Sequence, residues 1–561
     1  MDLREKTFRL IDDLKLTCQS YGLGNDGNEY KIITQMFLYK FLNDKFGYAI
    51  KHACTDLSMI IAHSDNWETA YAGLEPEERE ELLYALDPNV PKLQPEHLVT
   101  YLWNNQTKGE FDALFDSTME AIAHDNIDIF STQTTERTRI PIFEPLTVFV
   151  TDTAKRADFA RALIDKLVSF SFEETFAEHY DFFATIFEHL IKDYNTDSGG
   201  KYAEYYTPHS IATIMARLLV GDNPDLRGME VYDPSAGTGT LLMALAHQIG
   251  EERCTIYSQD ISQRSNKMLK LNLILNNLVH SLDNAIQGDT LTEPFHKNDQ
   301  NTALRQFDFI VSNPPFKVDF VDTHAKVAAQ TARFWAGVPN VPKEINPKKP
   351  KMAIYTCFLQ HVINSLKPGG KAAIVVPTGF ITAKSGIEAK ILHHIVEKHI
   401  VYGCVSMPGN VFANTPTSVS VLFLQKPKDG SDASTRKVVL IDASKMGEEY
   451  KEDNNQKLRL LPKEIDRIIT AFNGQVAEDG FSVVVSYDEI LSKKCSLSAG
   501  WYFDIKIEYE AISAEEFEHK INHYRKTLTK QFGESQTIAE KILNQLNTVS
   551  ITQIPHLPKE E

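Results

Sequence analysis

The chain has 561 residues and is acidic, with 76 Asp and Glu against 58 Lys and Arg and a formal charge of −18. That length predicts more than one domain, and the charge argues against a chain that grips nucleic acid by itself, since phosphate binding usually needs a basic face. No apolar run approaches the roughly 18 residues of a membrane span. The opening Met1-Asp2-Leu3-Arg4-Glu5 is not a signal sequence, so a soluble cytoplasmic enzyme is expected.

From Leu3 to about Asp197 the pattern is mainly helical. Ile32, Ile33, Met36, Phe37, Tyr39 and Phe41 crowd one long amphipathic stretch. Phe182, Phe183, Ile186, Phe187, Leu190 and Ile191 repeat the i, i+3, i+4 spacing. Both stripes are expected to be core. Asn195-Thr196-Asp197-Ser198-Gly199-Gly200 breaks the pattern and marks a boundary. The six cysteines, Cys18, Cys54, Cys254, Cys357, Cys404 and Cys495, are scattered with no C-x-x-C pair, so neither a disulfide frame nor a zinc site is indicated and no metal is expected.

Beyond the boundary, strands and helices alternate to about residue 426. Met229-Glu230-Val231-Tyr232-Asp233 reads as a buried strand, Pro234-Ser235-Ala236-Gly237-Thr238-Gly239-Thr240 as a small-residue loop, and Leu241 to Ala246 as the start of a helix. Backbone approaches a ligand closely only where side chains are absent, so this is a cofactor cradle. It lacks the Gly-Lys-Ser/Thr ending of a triphosphate loop and the glycine spacing of a dinucleotide fingerprint. Asp233 suits a cationic ligand group such as the amino group of a methionine-type cofactor. Cys254 to Gln259 reads as a second strand ending in Asp260, about 20 residues beyond the loop, where a ribose hydroxyl pair is gripped. Ala285-Ile286-Gln287-Gly288 ends at Asp289, suited to an adenine amine. Phe307-Asp308-Phe309-Ile310-Val311-Ser312 then runs into Asn313-Pro314-Pro315-Phe316. An Asn amide and the next carbonyl accept hydrogen bonds from a planar –NH₂, the prolines stiffen the turn, and Phe316 can stack on the ring bearing the amine. Each lone Asp is more simply a helix cap or a solvated loop acid. Three strand-terminal acids in order, followed by Asn313, favour a site.

These residues resemble a family. Asp233 to Thr240, Gly288-Asp289 and Asn313 to Phe316 look like the motifs of S-adenosylmethionine-dependent amino-group DNA methyltransferases, in the order of the gamma class of adenine-N6 enzymes. Glu204-Tyr205-Tyr206-Thr207-Pro208-His209 resembles the segment that packs over the cofactor's methionine end in the modification subunit of type I restriction–modification systems. Phe358-Leu359-Gln360-His361, Leu366-Lys367-Pro368-Gly369-Gly370 and Gly403 to Phe412 also fit that subunit. The segment Lys317 to Lys351 departs from the pattern.

The resemblance implies a class I methyltransferase fold, an α/β doubly wound sheet, spanning 198–428 between a helical N-terminal domain (1–197) and a C-terminal extension (429–561) with helices for partner packing. It implies a site-specific adenine DNA methyltransferase that uses S-adenosyl-L-methionine. The expected catalytic set is Asn313, Pro314, Pro315 and Phe316. The expected cofactor set is Glu204, Tyr205, Tyr206, Thr207, Pro208, His209, Asp233, Ser235, Gly237, Thr238, Gly239, Thr240, Asp260 and Asp289. The partners implied are double-stranded DNA with a flipped adenine, a specificity subunit, a second modification subunit and a restriction subunit. The acidity of the chain is consistent with another subunit supplying most of the DNA grip; the densest basic candidate here is Lys343 to Lys351. In the tail, Phe517, Ile521, Tyr524, Leu528 and Phe532 form a narrow stripe, Gly533 interrupts, and Ile538, Ile542 and Leu546 resume. Such a stripe is a helix-pairing seam or two short helices folded onto their own domain. The same tetrapeptide also serves methylation of protein glutamine or of RNA bases, but a long helical region and a paired-helix tail argue against those compact enzymes. An intact tetrapeptide argues against a non-catalytic cofactor sensor, and no acidic pair followed by Glu-x-Lys marks a fused nuclease.

Overall fold

The computed structural model describes residues 3–24, 28–127, 129, 131–134, 138–177, 186, 189, 207–221, 223, 225–342, 351–411, 418–428, 430–452, 455–503 and 513–548. The chain forms two units, Met1–Phe503 and Asp504–Glu561. Among the described residues no helix is long and apolar enough to cross a membrane. The expected breaker at Asn195–Gly200, most of the Phe182–Ile191 stripe and the basic run Lys343–Pro350 lie outside the described residues.

The first unit is built on a mixed sheet. Its strands are β1 (Ser131–Thr134), β2 (Arg139–Pro141), β3 (Met229–Asp233), β4 (Cys254–Asp260), β5 (Ala285–Gln287), β6 (Phe307–Ser312), β7 (Leu366–Pro377), β8 (Val401–Ser406), β9 (Val419–Gln425) and β10 (Val438–Asp442). After the small separate hairpin of β11 (Glu448–Glu452) and β12 (Asn455–Arg459), β13 (Ser482–Val485) returns to it. The order across the sheet is β13-β10-β8-β9-β7-β6-β3-β4-β5-β1-β2. β3 pairs in parallel with β4 on one side and with β6 on the other, Val231 opposite Phe309 and Tyr232 opposite Ile310. The chain winds outward from β3 through β4 and β5, then crosses back to start the other half at β6. That reversal is a topological switch point, and ligands of such sheets bind in the crevice beyond the carboxyl ends of the strands there. The sheet is doubly wound as expected, with β9 antiparallel to both its neighbours.

The strand sequences explain why this sheet is covered on both faces. Ala372, Ile374 and Val376 of β7 join Ile310, Leu359, Val362, Ile391 and Ile395 in one core. The alternate residues Ala373 and Val375 join Val231, Leu242, Leu245, Phe309 and Leu269 in the other. With a side-chain period of two, a run such as Ala-Ala-Ile-Val-Val serves both cores at once and must be apolar throughout. The helices Ile211-containing His209–Val220, Thr240–Ile249 and Gln263–Leu275 cover one face, and Tyr355–Asn364 and Gly386–Glu397 the other.

Two additions flank this sheet. The antiparallel hairpin of β1 and β2 comes from the otherwise helical N-terminal region and places β1 parallel to β5. Lys270, 1% exposed, donates from Nζ to the Ser131 carbonyl (2.6 Å) and ties that hairpin to the helix Gln263–Leu275. At the opposite edge β10 and β13 pair antiparallel. In the N-terminal region the helix Glu29–Lys51 is buried nearly all round: Ile32, Ile33, Met36, Phe37, Leu38, Tyr39, Phe41 and Leu42 are all inaccessible. It is a central helix, with more of its circumference buried than an amphipathic stripe would require. It carries a buried Lys40–Asp44 pair (2.8 Å), and Asp44 also accepts from the Phe172 amide (2.7 Å), the satisfied state a buried ion pair needs.

In the second unit, Ala514–Thr548 is one helix of 35 residues. Gly533, expected to interrupt it, lies inside it. Glycine in a helix interior costs only about 1 kcal/mol against alanine, too little to end a helix with good formers on both sides.

Candidate active site

The switch point brings two loops together, one leaving β3 and one leaving β6. Residues 234–239 must turn sharply from the strand into the helix Thr240–Ile249. Gly239 makes that turn at φ +85°, donates its amide to the Ala236 carbonyl (2.8 Å), and packs so tightly that an added Cβ would lie 2.1 Å from Leu269 Cδ1. Only glycine fits there. Asn272 Nδ2 donates to the Thr238 carbonyl (3.2 Å), and Thr290 Oγ1 to the Pro234 carbonyl (2.7 Å), bracing the loop from two more elements.

Asp233 closes the floor. It is 1% exposed, and its Oδ1 accepts from the Ser235 amide (2.9 Å) and hydroxyl (3.4 Å). Burial, and then the neighbouring Asp260 carboxylate, push its carboxyl up to about 8. Asp260 is also buried, which raises it from its ordinary value. Its two oxygens accept from the Gly237 amide (2.8 Å) and the Ser262 amide (2.8 Å), so the residue expected at a ribose also holds the glycine loop in place.

The loop from β6 meets this floor directly. The Ser312 and Ser235 hydroxyls are 2.6 Å apart, linking the last residue of β6 to the glycine loop. Asn313 follows, and its Nδ2 donates to the Thr207 hydroxyl oxygen (3.1 Å). Thr207, Asp233, Ser235, Ala236, Thr238, Thr240, Leu241 and Asn313 line one narrow cleft. Phe316 is half-buried and packs edge-on against Tyr355, with centroids 6.2 Å apart and planes at 74°. Tyr355 donates to Glu388 (2.9 Å).

The sequence-derived residues therefore separate into groups. Thr207, Asp233, Ser235, Thr238, Thr240 and Asn313 share the cleft, while Gly237 and Gly239 give the loop that carries three of them its positive-φ turns. Pro208 and His209 begin the adjoining helix. Asp260 stands behind the loop, and Asp289 accepts from the Leu291 (2.9 Å) and Thr292 (3.4 Å) amides on the loop after β5. Glu204, Tyr205, Tyr206 and Phe412 lie outside the described residues. Several supports were not singled out: Ser312, Thr290, Asn272, Tyr355 and Arg333. Arg333 comes from the segment that fits no motif. It donates to the Thr290 carbonyl (2.7 Å), and burial pushes its guanidinium down to about 10. Only Ser312, next to Asn313, carried a positional signal; the others are joined to the site by tertiary packing alone.

The cleft fits a ligand with a positive end. A buried carboxyl raised by desolvation and by a second acid is relieved by a cation, and the Ser and Thr hydroxyls around it suit a polar ligand.

Known proteins share this architecture. The chain is similar to the type I restriction enzyme MpnII methylase subunit of Mycoplasma pneumoniae, 27% identical over 372 residues, 65% of this chain and 65% of that one. The type I restriction enzyme MjaIX methylase subunit of Methanocaldococcus jannaschii is 27% identical over 395 residues, 68% of this chain and 65% of its own. The matched stretch thus spans 65% of the length of each of these curated relatives. Among solved structures, the methyltransferase subunit of a type I restriction-modification system from Streptococcus thermophilus superposes with a TM-score of 0.67 at 19% identity, covering 90% of this chain and 100% of that one, and so shares its fold. The family model described as N-6 DNA Methylase matches residues 178–511, more than half of the sequence and the whole of the cleft from Thr207 to Asn313, and the chain belongs to that family.

Proposed function

We propose that the chain is the modification subunit of a type I restriction–modification system, and that it transfers a methyl group from S-adenosyl-L-methionine to adenine N6 in DNA. The observation that carries this reading is the single cleft shared by the glycine loop and Asn313. When bound, S-adenosylmethionine supplies an electrophilic methyl on a sulfonium. Asp233 would hold its ammonium end, the loop from Ser235 to Thr240 would pack along it, and Asp260 and Asp289 would take the ribose and adenine contacts that their motifs imply.

The acceptor nitrogen is a poor nucleophile because its lone pair is delocalised into the purine ring. The Asn313 side-chain oxygen and the Pro314 carbonyl would both accept from that amine, drawing it towards sp³ and freeing the lone pair. Pro314 and Pro315 hold the two acceptors in fixed relation, so positioning supplies most of the catalysis. The base must first leave the duplex, at a cost of a few kcal/mol, roughly, in stacking and pairing. Stacking on Phe316 would return about 1–3 kcal/mol, as for aromatic platforms that bind single strands.

The acidic chain implies that another subunit reads the DNA. The long tail helix with its apolar stripe suits pairing with helices of that specificity subunit. Two copies of the present chain per specificity subunit, joined by a restriction subunit in the full complex, complete the proposed assembly.

The test separates binding from chemistry. Asn313→Ala and Phe316→Ala are expected to keep S-adenosylmethionine affinity in calorimetry while losing tritium transfer to DNA. Lost cofactor affinity in either variant counts against these roles, and transfer to protein or RNA in place of DNA counts against the substrate.

A further inference from the structure

A carboxamide can accept from an amine only through its oxygen end, yet its two ends are nearly the same size and shape. Turning the Asn313 amide over would set an –NH₂ against the substrate's –NH₂. How firmly the amide is held depends on what meets its far end. That group is Thr207, 106 residues earlier in the chain, whose hydroxyl oxygen lies 3.1 Å from Asn313 Nδ2. Thr207 is 4% exposed and lines the same cleft. Pro208, at φ −56°, caps the helix His209–Val220 immediately after it and limits how far the Thr207 backbone can shift.

We propose that Thr207 is a positioning residue: its hydroxyl oxygen accepts from Asn313 Nδ2 and so presents Asn313 Oδ1 to the acceptor amine. This rests on the reading of Asn313 as the group that binds that amine. It also gives Thr207 a duty other than the cofactor contact expected from its motif. A hydroxyl can accept or donate; by accepting from Nδ2 it anchors the amide in the orientation that leaves Oδ1 free for the amine, before the base enters. Without the hydroxyl, a half-buried donor is left unpaired in the productive orientation, and the amide loses its anchor there.

The experiment compares the full chain, assembled with its DNA-reading partner, as wild type, Thr207→Val and Thr207→Ser. Valine keeps the shape and removes the hydroxyl; serine keeps the hydroxyl and loses a methyl. Thr207→Val is expected to lower kcat for tritium transfer to DNA by roughly 10- to 100-fold, the scale of one lost orienting hydrogen bond. Its calorimetric affinity for S-adenosylmethionine should stay at the wild-type level, and Thr207→Ser should restore most of kcat. A valine variant with wild-type kcat overturns the proposal. Equal loss in Val and Ser overturns it in favour of simple packing, and loss of cofactor affinity before kcat makes Thr207 a cofactor contact instead. If Thr207→Val melts early, Thr207→Ala against Thr207→Ser gives the same hydroxyl comparison at nearly constant size. A wild-type assembly that methylates no DNA amine overturns the functional reading itself, and this inference with it, a result distinct from an active wild type with an active valine variant.

Discussion

In the role proposed for it, Asp233 would tie cofactor binding to pH through one buried side chain. Burial, and then the Asp260 carboxylate, push its carboxyl up to about 8 by penalising its charge. At pH 7 it is therefore mostly protonated. A ligand ammonium at that position favours the carboxylate and drives the proton off. Cofactor uptake at pH 7 is thus expected to release close to one proton, and affinity should weaken as pH falls below about 8. The same shift works on folding: a raised carboxyl contributes stability below the unfolded-state value, and that contribution is lost as pH rises through about 8. Titration calorimetry in two buffers of different ionisation enthalpy measures the proton directly. Heats that do not depend on the buffer at pH 7 would contradict the role given to Asp233. At this scale much of the site was legible. A strand ending in Asp, a glycine loop and an Asn-Pro-Pro-Phe turn are local patterns, each with its chemistry written in consecutive residues. The brace from Asp260 to the Gly237 amide was hidden, because the sequence shows an acid at a strand end without showing which way it faces.

Among the elements, the tail helix makes a separate commitment. Ile521, Leu528 and Phe532 are 40%, 51% and 71% exposed along Ala514–Thr548, which would extend about 50 Å at the usual helical rise. If this stripe is a pairing seam, Ile521→Glu with Leu528→Glu should abolish co-purification with the specificity subunit. Cofactor affinity and the melting of Met1–Phe503 should not change. Assembly that survives the double substitution would remove the seam from the account. The stripe was readable from its spacing, but the continuity of the helix was not, since a single Gly533 carries a local penalty that the neighbouring residues outweigh. The hairpin of β1 and β2 was less legible still. Ser131 to Thr134 is polar, and an edge strand of four residues gives no alternating apolar signal. Its place beside β5 is set by pairing with residues far along the chain and by Lys270, which no local pattern announces.

For the whole molecule, the consequence of the winding is that residues from three distant stretches meet at one point. β3 and β6 are neighbours only because the chain reverses there, so Asp233 and Asn313, 80 positions apart in sequence order, line one cleft. The alternation of strands and helices announced a doubly wound sheet, and the doubly wound sheet in turn fixed where a ligand would sit. The segment 317–342 stayed opaque because its contacts are tertiary: Arg333 donates to the Thr290 carbonyl, and Phe320, Val327 and Phe334 pack with Leu291 of the loop that follows β5. The most direct check is base-resolved methylation sequencing of host DNA from cells with the gene intact, with it deleted, and with Asn313→Ala in its place. N6-methyladenine at one recurring sequence, present only with the intact gene, is the predicted result. The mark persisting in the Asn313→Ala cells, or an intact gene that leaves no methylated adenine, would contradict it.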